Sequence, residues 1–133
     1  MSDGGVIIAS GPVIVENGRV LLVKHGDDPF WKFPGGKWEE DDADFESTAR
    51  REVREELGLE IVIRAPLSPL LVRRSDGGAV VLIHYLADRR GEVVAGSHIK
   101  AWDWLPISAL PSEVAPNIAP VIADYLKRFP SRV

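Results

Sequence analysis

Apolar and polar positions alternate in short blocks along the chain, and these blocks predict strands before and after one central helix. The runs VIIASGPVIVE and RVLLVKH are rich in β-branched residues, and Asn17-Gly18 between them is a strong signal for a tight hairpin. Later in the chain, LEIVIRAPLSPLLVRR and AVVLIHYLAD have strand-like composition and are separated by the turn SDGG, and IKAWDWL is a further short strand. The predicted sheet therefore draws strands from both halves of the sequence.

Helical spacing replaces the strand pattern after the loop FPGG. Apolar residues there recur at every fourth position and predict one buried helix face: Phe45, Ala49, Val53 and Leu57. Asp44 is a suitable N-cap and Gly58 a suitable end, so the helix is expected from Asp44 to Leu57. A closing helix is expected from Pro116 to Phe129, after a turn or short helix in PISAL, with one apolar stripe: Ile118, Ile122, Tyr125 and Phe129. These elements predict an α/β fold, a mixed β-sheet packed between α-helices.

Three glutamates share one face of the first predicted helix, beside its apolar stripe. Glu52 and Glu56 are four positions apart and Glu55 is three from Glu52, so their like charges repel. A divalent cation offsets this repulsion directly, because carboxylate, water and carbonyl oxygens are the hard ligands that suit Mg²⁺ or Mn²⁺. Taken alone, REVREEL is more often a solvated helix face with i,i+4 pairs such as Arg51 with Glu55.

The glycines before the helix favour a metal site over a solvated helix face. Gly35 and Gly36 carry no side chains, so the backbone there can come close to an ion or ligand, and a carbonyl can complete a metal shell. Pro34 holds the entry of the loop in one conformation. Magnesium in turn favours substrates that carry phosphates, because it bridges phosphate oxygens.

Composition narrows the classes of function. The 133 residues fit one domain, 1–133, with 45% hydrophobic and 27% charged residues. There is no cysteine, which excludes disulfides, thiolate metal ligands and a thiol nucleophile. A net charge of −4 argues against binding of a nucleic-acid duplex but permits binding of a small phosphorylated ligand. The N-terminus lacks signal-peptide features and no apolar run approaches a membrane span, so we expect a cytoplasmic protein without membrane contact.

Together these motifs resemble the Nudix hydrolase family. The family signature is a Gly, five residues, a Glu, seven residues, Arg-Glu, an apolar residue, any residue, Glu-Glu, any residue, Gly and an apolar residue. Gly36 matches the first Gly, and the second half matches fully from Arg51 to Leu59. The preceding WKFPGGK is similar to MutT-like members, and WLPISALP is similar to the family's Trp-x-Pro-x-x-x-Leu pattern. The resemblance covers essentially the whole chain and implies the Nudix fold.

One feature departs from the signature. The chain is one residue longer between Gly36 and Arg51, so the place of the lone Glu falls on Asp42 when counted from the left and on Ala43 when counted from the right. In the family that Glu helps to position the signature Arg. Three acids are candidates to replace it, and the sequence does not choose among them: Asp42, Asp44 and Glu46.

The resemblance implies roles for individual residues. Glu52 and Glu56 match metal-binding glutamates, and Gly35 matches the turn residue that lends a backbone carbonyl. Glu55 matches a further ligand or water-orienting glutamate, and Arg51 matches the residue that orients its glutamate neighbour. The implied reaction is attack of water on a phosphorus in the pyrophosphate linkage of a nucleoside diphosphate joined to another group, with Mg²⁺ as cofactor and Mn²⁺ as a substitute.

Substrate contacts are assigned on weaker signals. Lys24 and His25 end the second predicted strand near the Gly-rich turn, where a cation suits phosphate, although a solvated lysine and a surface histidine are equally common there. Gly36 and Lys37 continue the turn. Base stacking is expected from one loop tryptophan, whereas Trp104 matches the family's core tryptophan. The three candidates for stacking are Trp31, Trp38 and Trp102.

The general base is the least typical part of the sequence. Many MutT-like relatives draw a second carboxylate from the loop before the late Trp, and GEVVAGSHIKAWDW holds no Glu close to Trp104. His98 stands about where that carboxylate would be, and a histidine can accept a proton near neutral pH. The alternatives are a loop histidine without a role and a base drawn from the helix, Glu52 or Glu55.

Two other classes of protein compete with a hydrolase. A non-catalytic Nudix-fold binding module usually loses signature glutamates, and all three helix glutamates are present here. The isopentenyl diphosphate isomerase branch relies on a catalytic Cys, which this chain lacks.

Candidate substrates are nucleoside triphosphates, ADP-ribose and dinucleoside polyphosphates. The first predicted strand starts near Val6, without the N-terminal domain of many ADP-ribose hydrolases, which favours a MutT-like nucleoside triphosphate. A homodimer is left open.

Overall fold

The computed structural model describes residues 5–130, which form seven strands, two α-helices and a 3₁₀ turn. The strands are β1 (Val6–Glu16), β2 (Arg19–His25), β3 (Gly36–Lys37), β4 (Glu60–Pro66), β5 (Leu70–Arg73), β6 (Ala79–Arg90) and β7 (Ile99–Pro106). The helices are α1 (Phe45–Leu57) and α2 (Ile118–Arg128), and the 3₁₀ turn is Ile107–Ala109. These elements confirm the predicted runs, and they add the two-residue strand β3, which is too short to leave a sequence pattern.

The sheet is mixed, with strand order β4-β6-β1-β2-β7, while β3 pairs with β1 and β5 pairs with β6. β1 and β2 form the predicted hairpin, whose turn residues Asn17 and Gly18 have φ values of 53° and 74°. These positive angles are what Asn-Gly tolerates and what a tight hairpin turn requires. β1 also pairs in parallel with β6, from Val6 opposite Ala79 to Ile14 opposite Ala87.

The sheet lies between the two helices, as the sequence predicts, because alternate residues of β1 and β2 face opposite sides. One core cluster, on the α1 side, includes Ile14, Leu21, Val23, Val53 and Leu57. The other cluster, on the α2 side, is built from residues of β1, β2, β6 and α2: Val13, Val15, Val20, Leu22, Leu86, Ile118, Val121, Ile122 and Tyr125.

Helix α1 begins and ends where its caps predict. The side chain of Asp44 accepts a hydrogen bond from the Ser47 amide at 2.7 Å, and Gly58 closes the helix in the left-handed conformation with φ of 64°. Val53 and Leu57 are fully buried against the sheet. The apolar face is thereby fixed to the core, and the acidic face is turned towards the loop that precedes the helix.

The loop of residues 33–36 crosses directly over β1. A Cβ atom added to Gly11 would lie 1.9 Å from the carbonyl oxygen of Pro34, so only a glycine lets the two backbones approach this closely. Gly35 has φ of +150°, and a Cβ there would lie 2.7 Å from the Ser10 carbonyl oxygen. The loop is then held by β3, where Gly36 pairs with Ser10.

In residues 5–130 we find no helix that combines the length and the apolar character needed to cross a membrane.

Removing one buried anchor of α1 tests how the helix is held. Leu57→Ala should lower the free energy of unfolding by about 2–5 kcal/mol, because it deletes a fully buried side chain and leaves a cavity. Leu71→Ala is the matched control: Leu71 is 56% exposed, so the same substitution should change stability by less than about 0.5 kcal/mol. Urea unfolding measures both values, and similar losses for the two variants would contradict this packing.

Candidate active site

The acidic face of α1 meets the glycine loop at two glutamates. Glu56 Oε1 accepts a hydrogen bond from the Gly35 amide at 3.1 Å, and Glu56 Oε2 lies 3.1 Å from Nε2 of His25. Glu52 lies against Gly36, where an added Cβ atom would come within 2.5 Å of its Oε2. Gly36 is therefore required for the close approach of Glu52 to the loop, and the end of β2 brings His25 to Glu56.

Burial and like charge act together on these carboxylates. Burial raises the pKa of Glu52, the negative charge of Glu56 raises it further, and the Arg51 guanidinium opposes both effects. The hydrogen bond to Glu56 raises the pKa of His25, which favours the imidazolium form beside that carboxylate. The site thus concentrates negative charge in a half-buried position, which a cation would stabilise.

Arg51 joins the loop and the acidic face. Its Nε donates to Asp42 Oδ1 at 2.9 Å and its Nη2 donates to Asp42 Oδ2 at 3.0 Å, a two-point pair. Nη1 donates to Glu52 Oε1 at 3.0 Å, and Nη2 also donates to the Lys37 carbonyl at 3.0 Å. The predicted i,i+4 contact with Glu55 is present but longer, at 3.4 Å.

Asp42 is the acid that the one-residue insertion brings to Arg51. Its side chain is buried and also accepts hydrogen bonds from the Glu39 amide at 2.9 Å and the Thr48 hydroxyl at 3.0 Å. The Arg51 guanidinium holds the pKa of Asp42 well below its usual range. Of the other two candidates, Asp44 caps α1 and Glu46 is exposed in its first turn.

A cavity of about 310 Å³ opens beside the glutamates, between α1 and the segment before β7. Backbone hydrogen bonds fix that segment: the Val94 amide donates to the Leu57 carbonyl at 2.8 Å, and the Gly96 amide donates to the Glu56 carbonyl at 2.7 Å. The cavity is lined by His25, Glu52, Glu55, Glu56, Gly96, Ser97, His98 and Ile99. The structure therefore brings His98 and all three helix glutamates to one cavity, although the Glu55 side chain is 59% exposed.

A second, more open cavity of about 600 Å³ shares His25 and His98 and adds Lys100. Sequence reasoning missed Lys100 as a possible phosphate contact. The sequence feature that could have indicated Lys100 is its position two residues after His98. This feature is weak evidence, because lysines are common near strand ends.

None of the remaining predicted contacts is among the described residues that line the cavity beside the glutamates. The ammonium nitrogen of Lys24 lies over the Trp31 ring, 4.8 Å from its centroid. The backbone carbonyl of Lys37 accepts a hydrogen bond from Arg51, and Lys37 is exposed. Trp38 and Trp102 are each 40% exposed, and Trp104 packs against the α1-side core as expected.

The carboxylates of this site fit a magnesium ion that is open to water and substrate, rather than one coordinated by protein groups alone. Among the residues that the structure describes, no group of three or more His, Asp or Glu side chains is arranged to enclose a cation. Mg²⁺ typically takes one or two protein carboxylates and completes its shell with water and substrate phosphates. Glu52 and Glu56 can supply those carboxylates, because they flank the same loop and their charges interact.

Removing the charge of Asp42 tests whether it positions Arg51. Asp42→Asn should lower the free energy of unfolding by about 1–3 kcal/mol and reduce kcat, because the amide cannot form the two-point pair with a guanidinium. The control is the exposed neighbour, Asp41→Asn, which should leave both unchanged. Asp42 has a lowered pKa in the folded protein, so its stabilising effect should be constant at pH 6–8 and fade only when the pH falls below about 4. Denaturation at several pH values measures this, and an unchanged stability in Asp42→Asn would contradict the role.

Comparisons with known proteins show the family of this chain. The model of the NUDIX domain matches residues 7–127. A MutT-like protein of Streptomyces ambofaciens is 29% identical over 120 residues, which cover 90% of this chain and 73% of that protein. The crystal structure of a MutT NUDIX hydrolase from Burkholderia pseudomallei has 26% identity and a TM-score of 0.81, covering 90% of this chain and 97% of the other.

The solution structure of the E. coli ORF135 protein is similar to the same degree, with 26% identity and a TM-score of 0.80 over 99% of this chain and 96% of that one. The family model spans nearly the whole chain, and the signature Arg51–Leu59 lies on the helix and turn that form the site. The chain therefore belongs to the NUDIX family and is a Nudix hydrolase with the fold of that family.

Proposed function

We propose that this protein, acting as one catalytic domain, hydrolyses the pyrophosphate linkage of a nucleoside triphosphate with Mg²⁺, for which Mn²⁺ can substitute. Nudix hydrolases act on small nucleotide substrates and generally use divalent metal ions. The observation that carries the proposal is the pair Glu52 and Glu56, two half-buried carboxylates of like charge held against the Gly35-Gly36 loop. The similarity to MutT-named proteins supports the triphosphate as substrate.

Each residue of the site has a separate task in this proposal. A bound Mg²⁺ would neutralise charge on the phosphoryl oxygens and increase the acidity of the attacking water. Glu52 and Glu56 would hold the metal. Arg51 keeps Glu52 in place through the 3.0 Å hydrogen bond, and Asp42 in turn fixes the guanidinium from the other side. His25 donates to Glu56, which restrains that carboxylate at the mouth of the cavity.

The attacking water needs a proton acceptor, and three side chains that line the cavity are candidates. His98 lines the same cavity as the glutamates and is not hydrogen-bonded to them in the described contacts. Glu52 and Glu55 line it from α1. We propose His98 as the base to test first, because it occupies the segment that closes the cavity opposite the helix. A cytoplasmic location stays a prediction of the sequence, which leaves a homodimer open.

Replacing a proposed metal ligand tests the function. Glu56→Gln keeps volume but removes the charge, so turnover of a nucleoside triphosphate should fall by about 10²-fold or more and Mg²⁺ binding should weaken. The fold should survive, because relieving like-charge repulsion does not disturb the core. Steady-state kinetics and a Mg²⁺ titration measure the two effects.

The matched control is Glu46→Gln, which changes an exposed glutamate in the first turn of the same helix. It should leave turnover and Mg²⁺ dependence unchanged. Full activity in Glu56→Gln would contradict the assignment of the metal site, and so would an equal loss of turnover in the two variants.

The identity of the base is decided by pH–rate profiles. If His98 accepts the proton, His98→Gln should lower kcat sharply and remove the acidic limb of the profile, because glutamine keeps hydrogen bonding but does not titrate. If the profile of His98→Gln matches that of the wild type, the base belongs to α1, and Glu52→Gln should be the more damaging change. The measurement is kcat across pH at saturating substrate and metal.

A further inference from the structure

The segment between β6 and β7 lies directly on the last turn of α1. The Gly96 amide donates to the Glu56 carbonyl at 2.7 Å, and the Val94 amide donates to the Leu57 carbonyl at 2.8 Å. The last four carbonyl groups of a helix have no partner within it, so the segment supplies two of the donors that the end of α1 needs. The turn that it contacts carries Glu55 and Glu56, whose side chains line the proposed active site.

Gly96 permits this close contact because it has no side chain. A Cβ atom added at this position would lie 2.7 Å from the carbonyl oxygen of Glu55 and 3.4 Å from that of Glu56. Ordinary contacts of a Cβ atom begin at about 3.4 Å, so the segment would have to move by roughly 0.7 Å, because a backbone oxygen cannot rotate away as a side chain can. Gly96 is not among the glycines with positive φ, so the contact, rather than the backbone conformation, requires a glycine here.

Gly96 belongs to a closed ring of contacts around the cavity. Two residues further along the chain, His98 is held by its carbonyl oxygen, which accepts a hydrogen bond from the Gly26 amide at 3.2 Å. The neighbour of Gly26 is His25, whose Nε2 lies 3.1 Å from Glu56 Oε2. Glu56 completes the ring, because its carbonyl accepts the hydrogen bond from Gly96. A displacement of Gly96 must therefore be taken up by the other members of the ring, of which His98 is the nearest along the chain.

The middle of the segment can move without disturbing the core. Val94 is 70% exposed, and three of the next four residues are exposed as well. Val93 and Ile99, which flank this exposed stretch, pack against the core cluster on the α1 side and fix its two ends. A shift at Gly96 is therefore expected to stay local, and it should change the position of His98 more than the stability of the fold.

We infer that Gly96 is a positioning residue, which sets the place of His98 in the cavity beside the three helix glutamates. The inference rests on the proposed function for the role of His98 as proton acceptor. Gly96 acts through its backbone, because its contacts are with the carbonyl groups of Glu55 and Glu56. A misplacement of about 1 Å can lower a rate by about 10²-fold, because a proton acceptor must lie within hydrogen-bond reach of the attacking water. The displacement that a Cβ atom would force at Gly96 is close to that size.

Steady-state kinetics test whether Gly96 acts through His98. Gly96→Ala should lower kcat for a nucleoside triphosphate by about 10- to 100-fold and leave KM nearly unchanged, because substrate still binds while the proton acceptor is misplaced. In the double variant with His98→Gln, Gly96→Ala should cause little further loss, since the group that it positions is already absent. The matched control is Ala95→Ser, which adds one heavy atom to the exposed neighbouring residue and should leave kcat unchanged.

NMR spectra test the position of His98 without turnover and without metal. The chain has three histidines, so single substitutions assign each imidazole signal. Gly96→Ala should shift the ring signals of His98 and leave those of His84 in place, because His84 is buried within β6 and lies outside the ring of contacts. Ala95→Ser should shift neither set of signals.

Three results would overturn the inference: an unchanged kcat in Gly96→Ala, losses that multiply in the double variant, or His98 signals that stay in place. If Gly96→Ala does not fold, Val94→Pro replaces it in each experiment, because proline removes the other amide that binds the end of α1. Wild-type kinetics in His98→Gln would overturn the inference alone and leave hydrolysis by the glutamates intact. If the wild type hydrolyses no triphosphate with Mg²⁺, the proposed function fails, and the metal-free NMR comparison decides whether Gly96 positions His98.

Discussion

The side chain of Arg51 is the constraint on which the site depends, because one guanidinium joins three separate parts of the chain. It pairs at two points with Asp42 in the loop, donates to the carbonyl of Lys37 at the end of β3, and donates to Glu52 on its own helix. Its planar fork of donors can satisfy several acceptors at fixed angles, which a lysine could not do. The loop, the short strand and the acidic helix face are thereby held in one arrangement.

Close backbone contact between the loop and β1 is the second constraint, and it connects the two faces of the sheet. Gly11 and Gly35 let the loop lie directly on the strand, since any Cβ at either position would overlap the other backbone. The loop then reaches Glu52 and Glu56 with one side and covers with the other a cavity of about 290 Å³ that His84 lines. The proposed metal site and the cavity therefore share this loop, which makes the glycines as important to the arrangement as the charged residues.

Short sequence patterns were sufficient to predict the features that depend only on neighbouring residues. The hairpin at Asn17-Gly18 was predicted because both residues tolerate positive φ, and α1 was predicted to its ends because Asp44 and Gly58 supply the caps. The shared face of Glu52 and Glu56 follows from helix geometry alone. The partner of Arg51 could not be predicted, because with one extra residue in the loop the signature spacing did not choose among three acids. Only Asp42 has its oxygens turned inward, where Glu39 and Thr48 also hold them.

The sequence by itself determined the elements, their order, the acidic helix face and the family, because each depends on spacing within a few turns or on a contiguous motif. Only the tertiary structure decided the contacts between distant segments. The parallel pairing of β1 with β6 puts His84 opposite Gly11, and α2 then brings Asn117 to the same cavity. In the sequence His84 is a single polar residue within an apolar run, and its burial without a partner at Nδ1 depends on packing between residues far apart in the chain. No local sequence pattern encodes such packing, because the contacts form only when the sheet and α2 have assembled.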